Sequence, residues 1–288
     1  MYNGLFINSN QSAVIAENNL QNTNNSLGES LNRLSSGLQI TGAWVNPAGY
    51  EIAQGLNATS LGIGQATANA NNGNSLINIA SGALATIQGM LGTMQTLATN
   101  AANGTNSNQN LQALNSEFSQ LGSEITQIAN STNFNGLSLL NASGTFNGSI
   151  SAFTFQIGTD SNTTNSQISV SIQGVAASLI GLSGNSLSSV TLTSTSSALM
   201  ALSAVQAAVN QVAGISGQLG SYQNRVTQIL ANLQTEGTNT QAAYNNIMDV
   251  NFASEMSNFT LLSTLAQSGE AMLSQASMVP QGLLTLLK

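Results

Sequence analysis

The side chains that could do covalent or acid–base chemistry are few in this 288-residue chain. It contains no Cys and no His. That excludes thiolate chemistry, disulfides, Ser-His-Asp relays and the ordinary zinc ligand sets. Ten carboxylates and three cations remain. The nearest approach to a catalytic carboxylate pair is Glu117 with Glu124. Seven residues of helix put them about 10 Å apart, facing solvent, with no acid or cation partner nearby. They read as two solvated charges on a polar face. Gly62-Ile63-Gly64 lacks the third glycine, the preceding strand and the later acid of a dinucleotide loop. The methionines fall mostly on helical stripes and read as packing rather than metal binding. Asn-x-Ser/Thr sequons, as at Asn57, Asn103 and Asn162, are about as frequent as composition alone predicts. The stretch VTLTSTSS would suit O-linked sugars by composition. No enzyme, cofactor or metal centre is expected.

The charge balance narrows the partners. Charged residues make up 5% of the chain, against about 25% in ordinary soluble domains. Asn, Gln, Ser and Thr fill the polar positions instead. Three cations cannot neutralise a run of phosphates, so nucleic acid is not an expected partner. The same shortage argues against an anionic membrane surface. No run of 18 uninterrupted apolar residues suggests a membrane span. The N-terminal MYNGLFINSNQSAV lacks the basic and continuous apolar regions of a secretory signal. Export, if it occurs, is expected to cleave nothing from this end.

The elements that must position these residues are mostly helical. Leu76, Ala80, Ala83, Ile87, Met90, Met94 and Leu97 follow a 3-4 alternation, the seam of coiled-coil packing. Leu111, Leu114, Phe118, Leu121, Ile125 and Ile128 repeat it after the loop NGTNSNQN. Leu202, Val205, Val209, Val212, Leu219, Val226, Leu230 and Leu233 repeat it again, with Ser216 and Gln223 at intervening positions. Three long helices therefore want one bundle. Between them, ISAFTFQIG and SQISVSI alternate at period two around TDSNTTN, which predicts a β-hairpin and a few further short strands up to about Leu192.

The ends differ. Leu20, Leu27, Leu31, Leu34 and Leu38 give one apolar stripe. Phe252, Met256, Phe259, Ala266 and Leu273 give another, with Leu261, Leu262, Leu265 and Met272 off it. A helix apolar on most of its circumference needs several partners. These terminal segments read as built for assembly.

Several ordered motifs resemble those of bacterial flagellins. SLNRLSSGLQI is followed at family spacing by AGYEIAQGL, NANNGNSLINIASGAL, NAANGTNSN and NSTNFNGLSLL. FQIGTDS with ISVSI, and later NRVTQILANL, NNIMDVNFASEMSNFT and MLSQASMVPQGLLTLL, extend the likeness across nearly the whole chain. The resemblance implies an extracellular filament subunit whose terminal helices form an inner tube, with the long helices around it and the β-region outside. It also implies export through the flagellum's own apparatus, an export chaperone for the C-terminal helix, a filament cap protein and hook–filament junction proteins as partners. A hook–filament junction protein and a secreted adhesin using its β-region are the rival readings.

Read this way, the fold is mainly α: a coiled-coil-like bundle formed by both chain ends, with a small β-hairpin region in the middle. The expected parts are an N-terminal inner-tube helix (1–45), the N-terminal half of the outer bundle (46–132) and a small β-rich region (133–195). The C-terminal half of the bundle (196–240) and a C-terminal inner-tube helix (241–288) follow. Inter-subunit contacts are expected at Leu27, Leu31, Arg33, Leu34, Leu38, Phe252, Met256, Phe259, Leu262, Leu265 and Leu273. Arg33 is one of the three cations, and its guanidinium can hold a carboxylate or several carbonyls in a fixed fork. Gly37 is expected to let another backbone approach. Pro47 should push Asn46 out of helical geometry and place a bend there. The sole Trp, Trp44, then pins that bend, contacts a neighbour or anchors a core. The family's receptor-read arginine stretch aligns with residues 91–97, which contain no arginine, so weak innate-receptor recognition is expected.

Overall fold

A computed structural model describes residues 10–141, 150–160, 166–182 and 185–286. Five helices and six short strands follow one another in chain order. They are α1 (Gln11–Ser36), α2 (Pro47–Ala101), α3 (Asn108–Ser131), β1 (Asn133–Phe134), β2 (Leu137–Ser138), β3 (Ile150–Gln156), β4 (Gln167–Gln173), β5 (Gly181–Leu182), β6 (Asn185–Ser186), α4 (Thr195–Met248) and α5 (Phe252–Leu286). The mainly helical fold with small central hairpins agrees with the sequence.

Each helix starts where the chain supplies a side-chain acceptor for its free N–H groups. Asn10 accepts from Ala13 at 3.2 Å, Asn46 from Gly49 at 3.0 Å, Ser107 from Asn110 at 3.2 Å and Asn251 from Ser254 at 3.2 Å. Ser194 and Ser197 cap α4 reciprocally. Pro47 is the first residue of α2, a position where its missing N–H costs nothing. The bend expected there is an irregular link from residue 37 to residue 46.

The chain divides into two compact units, residues 61–238 and residues 1–60 with 239–288. In the first, heptad spacing organises the core. Ile63, Ala70, Ile77, Leu84, Leu91 and Ala98 are buried on one line of α2, and Ala66, Ala80, Ile87, Met94 and Ala101 on the adjacent line. Leu111, Phe118 and Ile125 of α3 and Val205, Val212, Leu219, Val226 and Leu233 of α4 complete it. Of the expected seam, Leu76, Ala80, Ile87 and Met94 are buried, while the second line of the stripe runs through Ile77, Leu84 and Leu91, one residue beyond the expected Ala83, Met90 and Leu97. Ala83, Met90 and Leu97 are only half-buried at its margin. Period alone does not locate the centre of a stripe when Ile and Leu occupy adjacent lines. The seam position Gln223 donates to Asn78 on α2 at 3.0 Å.

The β3–β4 hairpin covers part of this core. Phe153 pairs with Val170 and Phe155 with Ile168. Ile168, Val170 and Ile172 are buried, while Thr154 and Ser169 meet on the outer face. Phe155 packs over Gly73 of α2, where a Cβ would lie 3.3 Å from the ring, and Asn69 donates to the Gln156 carbonyl at 2.9 Å. The expected turn between these strands lies largely outside the described residues. β1 and β2 open the β-rich region expected from residue 133, although no strand was located there from sequence. Their turn places Asn135 at φ 51° and Gly136 at φ 78°, the mirror-image turn that an Asn-Gly pair favours.

By length and composition alone α2 and α4 could each cross a membrane. Their apolar lines go instead into the core just described. The outward polar residues bond locally. Gln65 reaches Asn69 and Gln241 reaches Asn245 one turn on, at 3.0 and 2.8 Å. Thr59, Thr96 and Thr227 donate to carbonyls four residues back, as does Thr264 on α5. Neutral pairs stand where most helices carry ion pairs.

Candidate assembly surface

The second unit is built on α1 and α5, which lie antiparallel. Asn10 donates to the Ala276 carbonyl at 2.6 Å, Leu20 packs where a Cβ on Gly269 would be, Arg33 faces Glu255, and Phe252 lies over Gly37. The two residue numbers in each contact sum to nearly the same value, so one register runs the length of the pair. The covered faces follow 3-4 seams. On α1 the seam is Ala13, Ala16, Leu20, Thr23, Leu27, Ser30 and Leu34; on α5 it is Glu255, Phe259, Leu262, Ala266, Gly269, Leu273 and Ala276. Small residues at the centre of the seam, with Ser30 and Ala266 buried, let the helices approach closely. The Ser30 hydroxyl is buried there with no hydrogen-bond partner.

The expected contact residues divide into two sets. Leu27, Leu34, Phe259, Leu262 and Leu273 lie on the seam and are half-buried within the subunit. Leu31, Phe252, Met256 and Leu265 remain 53%, 55%, 51% and 48% exposed. On the helical wheel Leu265 and Met272 flank the α5 seam on one side and Met256 on the other. Phe252 continues the seam beyond the last turn of α1. Leu262 therefore belongs to the stripe and Met256 does not, the reverse of the sequence reading. An uncovered apolar residue on each side of a covered seam means that one partner helix is not enough.

At the other end of the pair the chain closes on itself. Gly37 ends α1 in the left-handed conformation at φ 75°, and its N–H reaches the Arg33 carbonyl, the common glycine stop of a helix. Gly37 thus terminates α1 rather than sitting inside it, and Leu38 is not helical. Leu38 instead forms an antiparallel bridge with Asp249. Gln39 donates to the Met248 carbonyl at 2.6 Å and Val250 to the Gly37 carbonyl at 2.9 Å. Ile40, Ala53 and Met248 make a small core beneath, with Leu38, Tyr50, Tyr244 and Ile247 around it.

Arg33 is half-buried, 3.9 Å from the Glu255 carboxylate, whose side chain is 12% exposed. It is the one ion pair among the described residues. Glu255 was not singled out from sequence, although an Asn cap at 251 followed by an acid in the first turn is a helix-start signal. Arg33 thus has a partner within its own chain, and the remainder of its fork stays open.

No acid–base machinery accompanies this surface. Glu117 and Glu124 are both exposed on α3. An open groove of about 560 Å³ beside Glu124 is lined by Asn115, Ser116, Ser119, Gln120, Ser123 and Gln127. It offers amides, hydroxyls and the single exposed carboxylate of Glu124, with no second titratable group in its lining. Trp44 is 70% exposed, so it is not a core anchor of the subunit.

Comparison with known proteins agrees with the assembly reading. Residues 7–145 match the bacterial flagellin N-terminal helical region, and residues 202–287 match the bacterial flagellin C-terminal helical region. The chain is 35% identical to a flagellin of Bacillus subtilis, over 98% of this chain and 99% of that one. It is 34% identical to a flagellin of Halalkalibacterium halodurans, over 99% and 100%. Among solved structures, a putative flagellar hook-associated protein from Vibrio parahaemolyticus superimposes with a TM-score of 0.58 at 11% identity, over 71% of this chain and 100% of that one. That likeness concerns the fold alone.

Proposed function

The chain belongs to the bacterial flagellin family, and from that premise we propose that the uncovered flanks of its α1–α5 pair are the surface through which subunits join. The protein is a structural subunit of the extracellular flagellar filament. It polymerises with itself, serves motility and is not an enzyme. The full-length likeness to flagellins disfavours the junction-protein and adhesin readings.

One observation carries the proposal about the surface. Leu31, Phe252, Met256 and Leu265 are about half exposed around a seam that is already filled. Burying side chains of this size is worth about 1.5–3 kcal/mol each, and a single neighbour cannot reach both flanks of α5. A helical polymer, in which each subunit has neighbours on several sides, supplies the missing cover. Leu27, Leu34, Leu38, Phe259, Leu262 and Leu273 then support the surface from within, and Arg33 offers its remaining donors to a neighbour. The same uncovered flanks call for protection before assembly. An export chaperone for the C-terminal helix, a filament cap protein and hook–filament junction proteins are the further partners.

The test is sedimentation and negative-stain electron microscopy of the full chain, with and without filament seeds. Wild type should pellet as filaments above a critical concentration. Met256→Glu with Leu265→Glu should stay in the supernatant while keeping its helical circular dichroism. Normal filaments from that double variant would refute the assignment of the surface.

A further inference from the structure

The chain has one Trp, and it stands 70% exposed on the link between α1 and α2. The ring lies against the turn that carries it. Val45 donates to the Gly42 carbonyl at 3.0 Å, closing a tight turn around Ala43 and Trp44. The indole folds back over Gly42, where a Cβ would lie 2.7 Å from Nε1, so a larger residue there would displace it. After the turn, Asn46 caps α2 and Pro47 sets its first φ. Ile40 is buried, and its Cδ1 lies 2.8 Å from where a Gly49 Cβ would be. Small residues at 42 and 49 hold a turn whose tip is an uncovered indole.

Neutrality selects what can meet it. Each subunit carries a net charge of −7, so copies repel at long range and are best joined where charge is absent. No charged residue occurs from Gly37 to Tyr50, and the acids that adjoin the stretch are at its two ends, Asp249 bridged to Leu38 and Glu51 next in sequence. The same stretch offers nothing to phosphates or anionic headgroups. Trp is enriched among the few residues that dominate protein interfaces.

We propose that Trp44 is an inter-subunit anchor, its indole seated against an apolar surface of a second copy of this chain. The link follows directly from the Leu38–Asp249 bridge that ties α1 to the start of α5, so the contact continues the assembly surface of the terminal pair. The inference rests on that reading. It adds a contact outside both terminal helices.

Trp44 is its own reporter. Fluorescence and light scattering are recorded together while the full chain polymerises. As scattering rises, the emission should shift to the blue and acrylamide quenching should fall several-fold. Trp44→Ala should raise the critical concentration about tenfold or more with its thermal midpoint within about 2 °C of wild type. Trp44→Phe should recover part of the loss. Filaments that form with unchanged emission, or a Trp44→Ala protein that polymerises like wild type, would overturn the proposal. A blue shift on neutral phosphatidylcholine vesicles but none in filaments would assign the indole to lipid and overturn it too. Absence of scattering from wild type at all would refute the assembly surface itself, a different failure from a silent Trp44.

Discussion

Arg33 and Glu255 separate charge from shape within the α1–α5 pair. A partly exposed ion pair of this kind is worth under about 1 kcal/mol. Being partly exposed, it is weakened further by salt. Glu255→Gln should therefore lower thermal stability slightly at low salt and less at high salt; equal curves at both salt concentrations would show that the pair contributes nothing. Gly37→Ala should cost about 1 kcal/mol, because only glycine adopts its left-handed φ freely. Ser30→Ala should be neutral or slightly stabilising in urea unfolding, since its buried hydroxyl has no partner to lose. A loss above about 1 kcal/mol would mean that the hydroxyl is satisfied. Arg33 was legible as a special cation because so few exist. Glu255 was not, since nothing in the chain says which of ten carboxylates lies opposite it until the register of two helices far apart in sequence is known.

At the scale of elements, heptad spacing announced the three long helices and period-two alternation announced β3 and β4. What period could not supply was phase. Ile77, Leu84 and Leu91 lie at the centre of the buried stripe of α2, one position from the expected line, because large apolar residues fill both lines. Leu84→Ala should accordingly cost about 2–5 kcal/mol, and Met90→Ala at the half-buried margin clearly less, by urea unfolding. Equal losses would mean that the stripe is centred where the sequence suggested. Leu38 looked helical because it continues a leucine spacing, but Gly37 stops the helix first. The β1–β2 turn was readable in Asn135-Gly136, yet strands two residues long leave no alternation to detect. In α5, periodicity alone ran Phe252, Met256 and Phe259 together. Contact with α1 separates the covered Phe259 from the exposed Met256.

For the molecule as a whole, the informative feature is neutrality. Ten carboxylates and three cations leave most acids without an opposite charge in the subunit. Acidification would move the net charge from −7 to about +3 or +4, a small span for a chain of this length. The helix surfaces are held by amide pairs and by hydroxyls on carbonyls, which neither titrate nor respond to salt. Filaments should therefore stay intact by light scattering from about pH 2.5 to 7 and across a wide salt range. Disassembly on acidification would mean that carboxylates hold subunits together. The central claim is that the terminal pair is half-covered alone and fully covered in the filament. Hydrogen–deuterium exchange of the full chain, free and after sedimentation as polymer, tests this most directly. Peptides spanning 11–36 and 252–278 should exchange at least about a hundredfold more slowly in the polymer, with little change at Ile77–Leu91. Filaments whose terminal peptides exchange as fast as in the free chain, with new protection only over β3 and β4, would contradict the account.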